Sequence, residues 1–350
     1  MTKMTTIIKE DIKKMSQANL PWDRLEGKTV LITGATGMLA SYVTWLLLYL
    51  RKNCNVNVNI LALCRSKETA EKYFGDYLGE QYFSLLIQDV CSPIKYDGGI
   101  DFIFHLAGNA SPYYIKEDPV GIMQCNLLGT MNILQLTCEK NNATVIFAST
   151  REVYGQNDFV DLLDEHSFGV IDPLDPRSCY PESKRAAETL MKSYSLQYGV
   201  PFYTIRIAHS YGPTMKLKND GRIMSDLMSN AVDCNDIILK SDGKSVRAFI
   251  YITDAVLGLF TVMFYGKNNE AYNLANETEP ITIKELAQMI ASLQQGLKVT
   301  MRISDQRNTG YCAYQRKALD TSAIESLGWS PKITLEKGIL RTFQSFMSAK

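Results

Sequence analysis

The run VLITGATGMLA, residues 30–40, decides how the rest of the chain is read. Four apolar or β-branched residues lead directly into Gly34, a second glycine follows at 37, and the apolar stretch MLASYVTWLLLYL (38–50) comes next. Strand, tight turn and helix in that order form a nucleotide-binding unit. Glycine permits the tight turn and lets backbone N–H groups approach a pyrophosphate closely, and the helix N-terminus adds a favourable field for the anion. Ala40 stands where a third glycine is expected and is still small enough for close packing of helix on sheet. An ordinary glycine turn is the bland alternative, and the strand–turn–helix context weighs against it. The stretch 38–50 is too short to span a bilayer and reads as a core helix.

Outward from this unit the pattern repeats. VNILALC (58–64), SLLIQDV (84–90), IDFIFHLAG (100–108), ATVIFAST (143–150) and FYTIRIA (202–208) are short β-rich runs, with helix-length segments such as 119–140 and 181–198 between them. Strands alternating with helices predict an α/β fold with a Rossmann-type, doubly wound parallel sheet. Residues 1–25 read as a short helical extension. Residues 26–210 read as the dinucleotide-binding domain, with contributions from 250–290. Residues 211–249 and 291–350 read as a smaller α/β lobe for the substrate.

Charge and cysteine content narrow the function. Lys plus Arg and Asp plus Glu number 37 each, so nothing favours nucleic acid or an anionic membrane surface as partner. The eight cysteines form no C-x-x-C pair and read as reduced thiols in a cytoplasmic protein without a metal site. The N-terminus is polar and charged, unlike a signal peptide.

The second strand usually ends in an acid that binds the adenosine ribose. Here Cys64 and Arg65 occupy that place. Arg65 with Ser66 and Lys67 suits a 2′-phosphate, so NAD and NADP both stay open. Asp89, ending the third strand, suits the adenine amino group. Further on, RSCYPESKRAAETL (177–190) places Tyr180 before Pro181, at the mouth of a helix, with Lys184 one turn on. A free tyrosine has a pKa near 10, and bringing it to about 7 requires roughly 4 kcal/mol of added phenolate stabilisation. A nearby ammonium and a cationic cofactor in a dry cleft supply such a term; an exposed pair does not. Thirty residues upstream, FASTREVYG ends a strand with Ser149 and Thr150, whose hydroxyls both suit a substrate oxygen, and Glu152 follows.

The glycine turn, the strand ending in Ser/Thr and Tyr-x-x-x-Lys, in that order, resemble the extended short-chain dehydrogenase/reductases. Within them the chain is similar to the NAD-dependent epimerase/dehydratase family over about residues 28–340, and most of all to its UDP-glucuronate decarboxylases. HLAGNASPYY (105–114), NLLGTMNIL (126–134), DPRSCYPESKR (175–185), RIAHSYGP (206–213), DGRIMSDL (220–227) and SDGKSVRAFIYITDA (241–255) carry that resemblance.

The resemblance implies Tyr180, Lys184, Thr150 and Glu152 as catalytic residues. It implies Gly34, Thr36, Gly37, Met38, Leu39, Arg65, Asp89, Val90, Leu106, Ala107 and Gly108 at the cofactor, joined by Tyr180 and Lys184. Ser111, Arg151, Arg185, His209, Arg222, Arg247 and Arg316 are implied at a nucleotide-diphosphate sugar. It also implies a homodimer through a four-helix bundle and a role in polysaccharide precursor synthesis.

The implied chemistry is transient oxidation of the sugar at C4, with Tyr180 taking the 4-hydroxyl proton. A ketone at C4 lets a C5 carboxylate leave as CO2. Elimination of water from C6 needs an acid, and hexose 4,6-dehydratases carry an Asp–Glu pair there. This chain has Arg151–Glu152, and arginine stays protonated. The decarboxylases in turn have serine at that position, asparagine at His209 and arginine at Thr214. Arg151 suits either a substrate carboxylate or Glu152. His105 reads as structural, and His166 receives no role. The competing readings are a C4 epimerase or a 4,6-dehydratase on the same scaffold, and a non-catalytic binder of NAD(P) or sugar nucleotide, which has no need of the Tyr180/Lys184 pair.

Overall fold

The computed structural model describes residues 4–140, 143–302 and 317–350. In chain order the elements are α1 (Thr6–Ser16), β1 (Thr29–Thr33), α2 (Met38–Asn53), β2 (Asn59–Cys64), α3 (Lys67–Phe74), β3 (Phe83–Ile87), β4 (Phe102–His105), α4 (Pro112–Glu117), α5 (Pro119–Glu139), β5 (Thr144–Thr150), β6 (Leu162–Leu163), α6 (Cys179–Tyr198) and β7 (Phe202–Ile207). They continue as β8 (Ser210–Tyr211), α7 (Ile223–Val232), β9 (Ile237–Leu239), β10 (Val246–Arg247), β11 (Ile250–Tyr251), α8 (Ile252–Tyr265), β12 (Glu270–Leu274), β13 (Ile281–Thr282), α9 (Ile283–Ala291), β14 (Val299–Met301), β15 (Ala318–Leu319), α10 (Ser322–Glu325) and α11 (Leu335–Ser348).

Seven strands form one sheet in the order β12-β7-β5-β4-β1-β2-β3, every pairing parallel. This is the doubly wound α/β architecture that the strand–helix alternation predicts. The order reverses between β1 and β4, and in such sheets ligands bind beyond the strand C-termini at that point. The sequence pattern supplies six of the strands. The seventh, β12, lies on the edge beside β7, and its EAYNL run has no apolar alternation strong enough to announce it.

Burial explains which segments became strands and helices. Val30, Leu31 and Ile32 of β1 are fully buried, as strands covered on both faces require. Helix α2 buries ten of its sixteen residues, so the apolar run at 38–50 is a core helix. Among the described residues no helix is long and apolar enough to cross a membrane.

The N-terminal extension is part of the core rather than an appendage. Ile8, Ile12 and Met15 of α1 are 1–2% exposed within the main hydrophobic cluster. Each such burial contributes on the order of 1.5–3 kcal/mol. Trp22 follows, edge-on to Phe260 and Phe264 of α8 at 5.2 and 5.8 Å. The described cysteines are all free, and Cys312 lies outside the described residues.

Candidate active site

Gly34 adopts φ +65°, and a Cβ there would lie 2.9 Å from the Cα of Ala107. No other residue type fits both the backbone conformation and the closeness of β4's exit. The turn is closed by Gly37 N–H donating to the Gly34 carbonyl (2.7 Å), and Gly37 then caps α2 without any side-chain bond. The first N–H groups of α2 therefore keep their donor capacity next to Thr36, Met38 and Leu39. Thr33 ties the two strand ends together. Its hydroxyl accepts from Leu106 and Ala107 N–H (3.1 and 3.0 Å) and meets His105 Nδ1 at 2.9 Å. His105 Nε2 lies 3.2 Å from the Thr130 hydroxyl, and burial pulls the imidazole down to about 3, so this histidine is a neutral strut in the core.

At the far end of the crevice the exposed Arg65 stands 3.9 Å from Asp89. Asp89 also accepts from Cys91 N–H at 2.9 Å, and the Val90 carbonyl accepts from Asn132 at 2.8 Å. This fixes the loop beyond β3 against α5.

Tyr180 and Lys184 lie one turn apart on α6, both buried. The helix begins at Cys179, one residue before Tyr180, because the 3₁₀ turn Pro176–Ser178 runs directly into it. The tyrosine hydroxyl hydrogen-bonds Thr150 at the end of β5. Burial pushes the phenol well above its ordinary value and the Glu152 carboxylate adds to this. The Thr150 bond, Arg222 and Arg177 pull the other way. Lys184 Nζ donates to the Ala148 carbonyl at 2.8 Å and sits 4.6 Å from the centre of the Phe147 ring. Burial brings its ammonium down to about 8, still charged at neutral pH. Lys184 borders Gly108, where a Cβ would lie 3.3 Å from its Nζ and 3.2 Å from Asn126 Oδ1. Asn126 Oδ1 is buried and has no hydrogen-bond partner, while its Nδ2 donates to Ser183 at 2.9 Å.

Two expectations about neighbouring side chains change. Ser149 does not join Thr150, because successive strand residues face opposite sides. Its hydroxyl donates to Glu188 at 2.5 Å, and Glu188 is clamped by Arg206 at 2.7 and 3.2 Å. Glu152 does not pair with Arg151: Arg177 holds both its oxygens, at 2.9 and 3.2 Å, and Arg151 donates to the Lys317 carbonyl at 3.2 Å. Arg185 binds the Val153 and Gly169 carbonyls at 2.8 and 2.6 Å, tying both ends of the segment after β5 to α6.

The remaining expected substrate contacts are spread along the second side of the crevice. Arg222 caps α7 and forks onto Asp220 at 2.6 and 2.7 Å. Ser111 donates to the Asp220 carbonyl at 2.5 Å, joining the start of α4 to that loop. His209, at φ +47°, lies tilted against Phe249 with ring centroids 5.7 Å apart. Arg247 donates to the Val246 carbonyl at 2.8 Å. Thr214 donates to the Met38 carbonyl at 3.3 Å, which ties the segment after β8 to the start of α2. Arg316 lies outside the described residues. Among the described residues no cluster of His, Cys, Asp or Glu has metal-binding geometry.

A sequence profile of the NAD dependent epimerase/dehydratase family matches residues 30–275. The chain belongs to that family. UDP-glucuronic acid decarboxylase 6 of Arabidopsis thaliana is 34% identical over 310 residues, covering 89% of this chain and 86% of the relative. UDP-glucuronic acid decarboxylase 1 of Danio rerio is 33% identical over 91% of this chain and 72% of its own length. Among solved structures, an epimerase from Methanothermobacter thermautotrophicus superposes with a TM-score of 0.80 at 19% identity, covering 98% of this chain and 96% of that one. A dTDP-glucose 4,6-dehydratase from Streptomyces venezuelae with NAD bound reaches 0.77 at 22% identity, covering 91% and 96%. As a member of the epimerase/dehydratase family this chain is an NAD-dependent enzyme, and its residues fit the dinucleotide. The uncapped helix end, the glycine pressed on Ala107 and the orphaned Asn126 Oδ1 beside Gly108 are each explained by a polar ligand along the strand ends.

Arg177 is the neighbour of the Tyr180 phenol that the motif spacing does not single out. Arg177 sits three residues before Tyr180, which is the repeat of the 3₁₀ turn that carries it, and that spacing is the signal by which it can be found.

Proposed function

We propose that the protein is a UDP-glucuronate decarboxylase. The observation that carries this reading is Arg151. The residue that would have to protonate a departing C6 hydroxyl is a guanidinium fixed on the Lys317 carbonyl, so water elimination has no acid there. Loss of CO2 from a C5 carboxylate needs none. The extent of likeness to decarboxylases, over 89% of the chain, supports the same choice.

Gly34, Gly37, the first N–H groups of α2, Arg65, Asp89 and Gly108 would hold NAD. When bound, the dinucleotide supplies reversible oxidation of the sugar at C4. Tyr180 accepts the 4-hydroxyl proton, with Thr150 hydrogen-bonded to the same oxygen. Lys184, charged and pinned by Ala148, stabilises the phenolate from one turn away. Glu152 is placed to move the second proton, at C5. Arg222 and Arg247 supply charge for the diphosphate or uridine. Arg65, 81% exposed in its side chain, leaves room for the 2′-phosphate of NADP as a second cofactor reading.

The test is incubation of the protein and NAD with UDP-glucuronate, UDP-glucose and dTDP-glucose, with mass spectrometry of the products. Release of CO2 and a UDP-pentose is expected. Loss of water, or unchanged mass with inversion at C4, would replace this reading by dehydration or epimerisation. The ratio of kcat/KM with NAD and NADP settles the cofactor.

A homodimer through α5 and α6 forms part of the proposal. The two helices pack together, and Val120, Met123, Leu128 and Met131 of α5 and Leu196 and Tyr198 of α6 remain exposed. A light-scattering mass twice the 39.4 kDa of the chain is expected. A cytoplasmic role in supplying pentose precursors for polysaccharide completes the reading.

A further inference from the structure

The Tyr180 phenol has a carboxylate for a neighbour, which opposes the ionisation its proposed role requires. Glu152 raises the proton affinity of the phenol, and the site is half-buried, where charges act more strongly than in water. The groups facing the phenol are few. Thr150 comes from β5, and Glu152 from the turn after it. Arg177 comes from the turn before α6. Arg222, with its partner Asp220, comes from the loop before α7. Tyr114 comes from α4 and Cys179 from α6 itself, with Lys184 one turn further along that helix. Asp220 is matched by Arg222 through two short bonds, so Glu152 is the anion whose field at the phenol depends on one further partner.

That partner is Arg177. Its Nη2 donates to both Glu152 oxygens, and the two side chains are 19% and 28% exposed. The chain is built to deliver it. Asp175 Oδ1 accepts the Arg177 N–H at 2.8 Å, and Ser178 donates to the Asp172 carbonyl at 2.5 Å. Together these wind Pro176–Ser178 into the turn that sets Arg177 and Tyr180 on one side.

We propose that Arg177 is a positioning residue: it fixes the Glu152 carboxylate and offsets part of its field at the Tyr180 phenol. This rests on the reading of Tyr180 as the base. It predicts that Arg177 matters through Glu152 and not through the substrate.

The experiment compares Arg177→Gln, Arg177→Lys, Glu152→Gln and the Arg177→Gln/Glu152→Gln double variant as NAD-loaded enzymes. The pH dependence of kcat/KM for UDP-glucuronate is read together with ultraviolet titration of the Tyr180 phenol, taken as the difference from Tyr180→Phe. In Arg177→Gln the acidic limb and the phenol titration should both move up by about one pH unit. At neutral pH kcat should fall about tenfold with KM little changed. Arg177→Lys should recover most of the loss, and the phenol shift should vanish in the Glu152→Gln background, where no anion remains to cancel. An equal shift in both backgrounds, no shift in either, or a rise in KM alone overturns the proposal. Should the wild type turn over no nucleotide sugar, the proposed function fails, and the phenol titration by itself still decides the role of Arg177.

Discussion

Two clusters of buried charge in this protein are built on opposite plans. The first joins α1 to the rest of the molecule. Asp11, 2% exposed, accepts from Tyr42 and Tyr251 on one oxygen at 3.0 and 2.7 Å, and from Arg341 twice on the other at 3.0 and 2.7 Å. Arg341 gives its further bonds to Glu10 and the Ile7 carbonyl. The second cluster surrounds Tyr180. There Asn126 Oδ1 is left without a partner, burial pulls the Lys184 ammonium down to about 8, and burial pushes the Tyr180 phenol far up. A saturated cluster is a joint. An unsaturated one stays costly until a ligand completes it, and that cost marks it as the place where chemistry happens.

The sharpest way to break this contrast is to exchange the roles by mutation. Tyr180→Phe removes a proton acceptor and should lower kcat by about 10²–10⁴-fold. Unfolding midpoints in denaturant should hardly move. Turnover within tenfold of wild type would end the proposed mechanism.

Asp11→Ala should do the reverse, costing about 3–5 kcal/mol because Arg341 is left buried and unanswered. Urea unfolding measures the loss, and kcat per folded molecule should stay at the wild-type value. An activity loss with intact stability would show that α1 communicates with the site rather than bracing the core.

A smaller effect is expected from pH. The ammonium of Lys184 stabilises the phenolate only while protonated, so activity should fall as pH rises through about 8. Its contribution to stability runs the other way. Between that value and the 10.5 of the unfolded chain, the unfolded state holds a proton the native state has lost, and stability rises with pH. Lys184→Arg should abolish the alkaline limb, since the guanidinium does not titrate there. A limb that persists in this variant belongs to another group.

The smallest change tests the open valence itself. Asn126→Ala removes one bond to Ser183 and should cost only about 1 kcal/mol of stability. The loss of Oδ1 beside Gly108 should weaken NAD binding about fivefold in a calorimetric titration, as expected for one hydrogen bond to the ligand. Unchanged affinity would mean that this oxygen is an unfilled corner of the core and no part of the site.

Much of the fold was legible because its signals are local. Val30–Ile32 run straight into Gly34, the glycine must accept a positive φ, and Lys184 falls one helical turn after Tyr180; none of this depends on distant residues. Strand alternation was legible too, and it is what separates Ser149 from Thr150, though the hydroxyls look equivalent when read as composition. Other features had no local signal. Glu152 and Arg177 lie 25 positions apart, and Asp11 and Arg341 lie 330 apart. In each case several partners of the right charge were available in the sequence. Arg151, adjacent to Glu152, was the natural candidate, and the turn after β5 sends it to Lys317 instead.

By itself the sequence determined the alternation of strand and helix, the dinucleotide turn and the Tyr-x-x-x-Lys pair, because these rest on backbone geometry and spacing within one or two turns. Only the tertiary structure decided which arginine meets which carboxylate, which hydroxyl faces the crevice and which buried oxygen is left open. Ion pairs and hydrogen bonds are set by distance in space, and the chain fixes those distances only after the sheet has brought separate segments together.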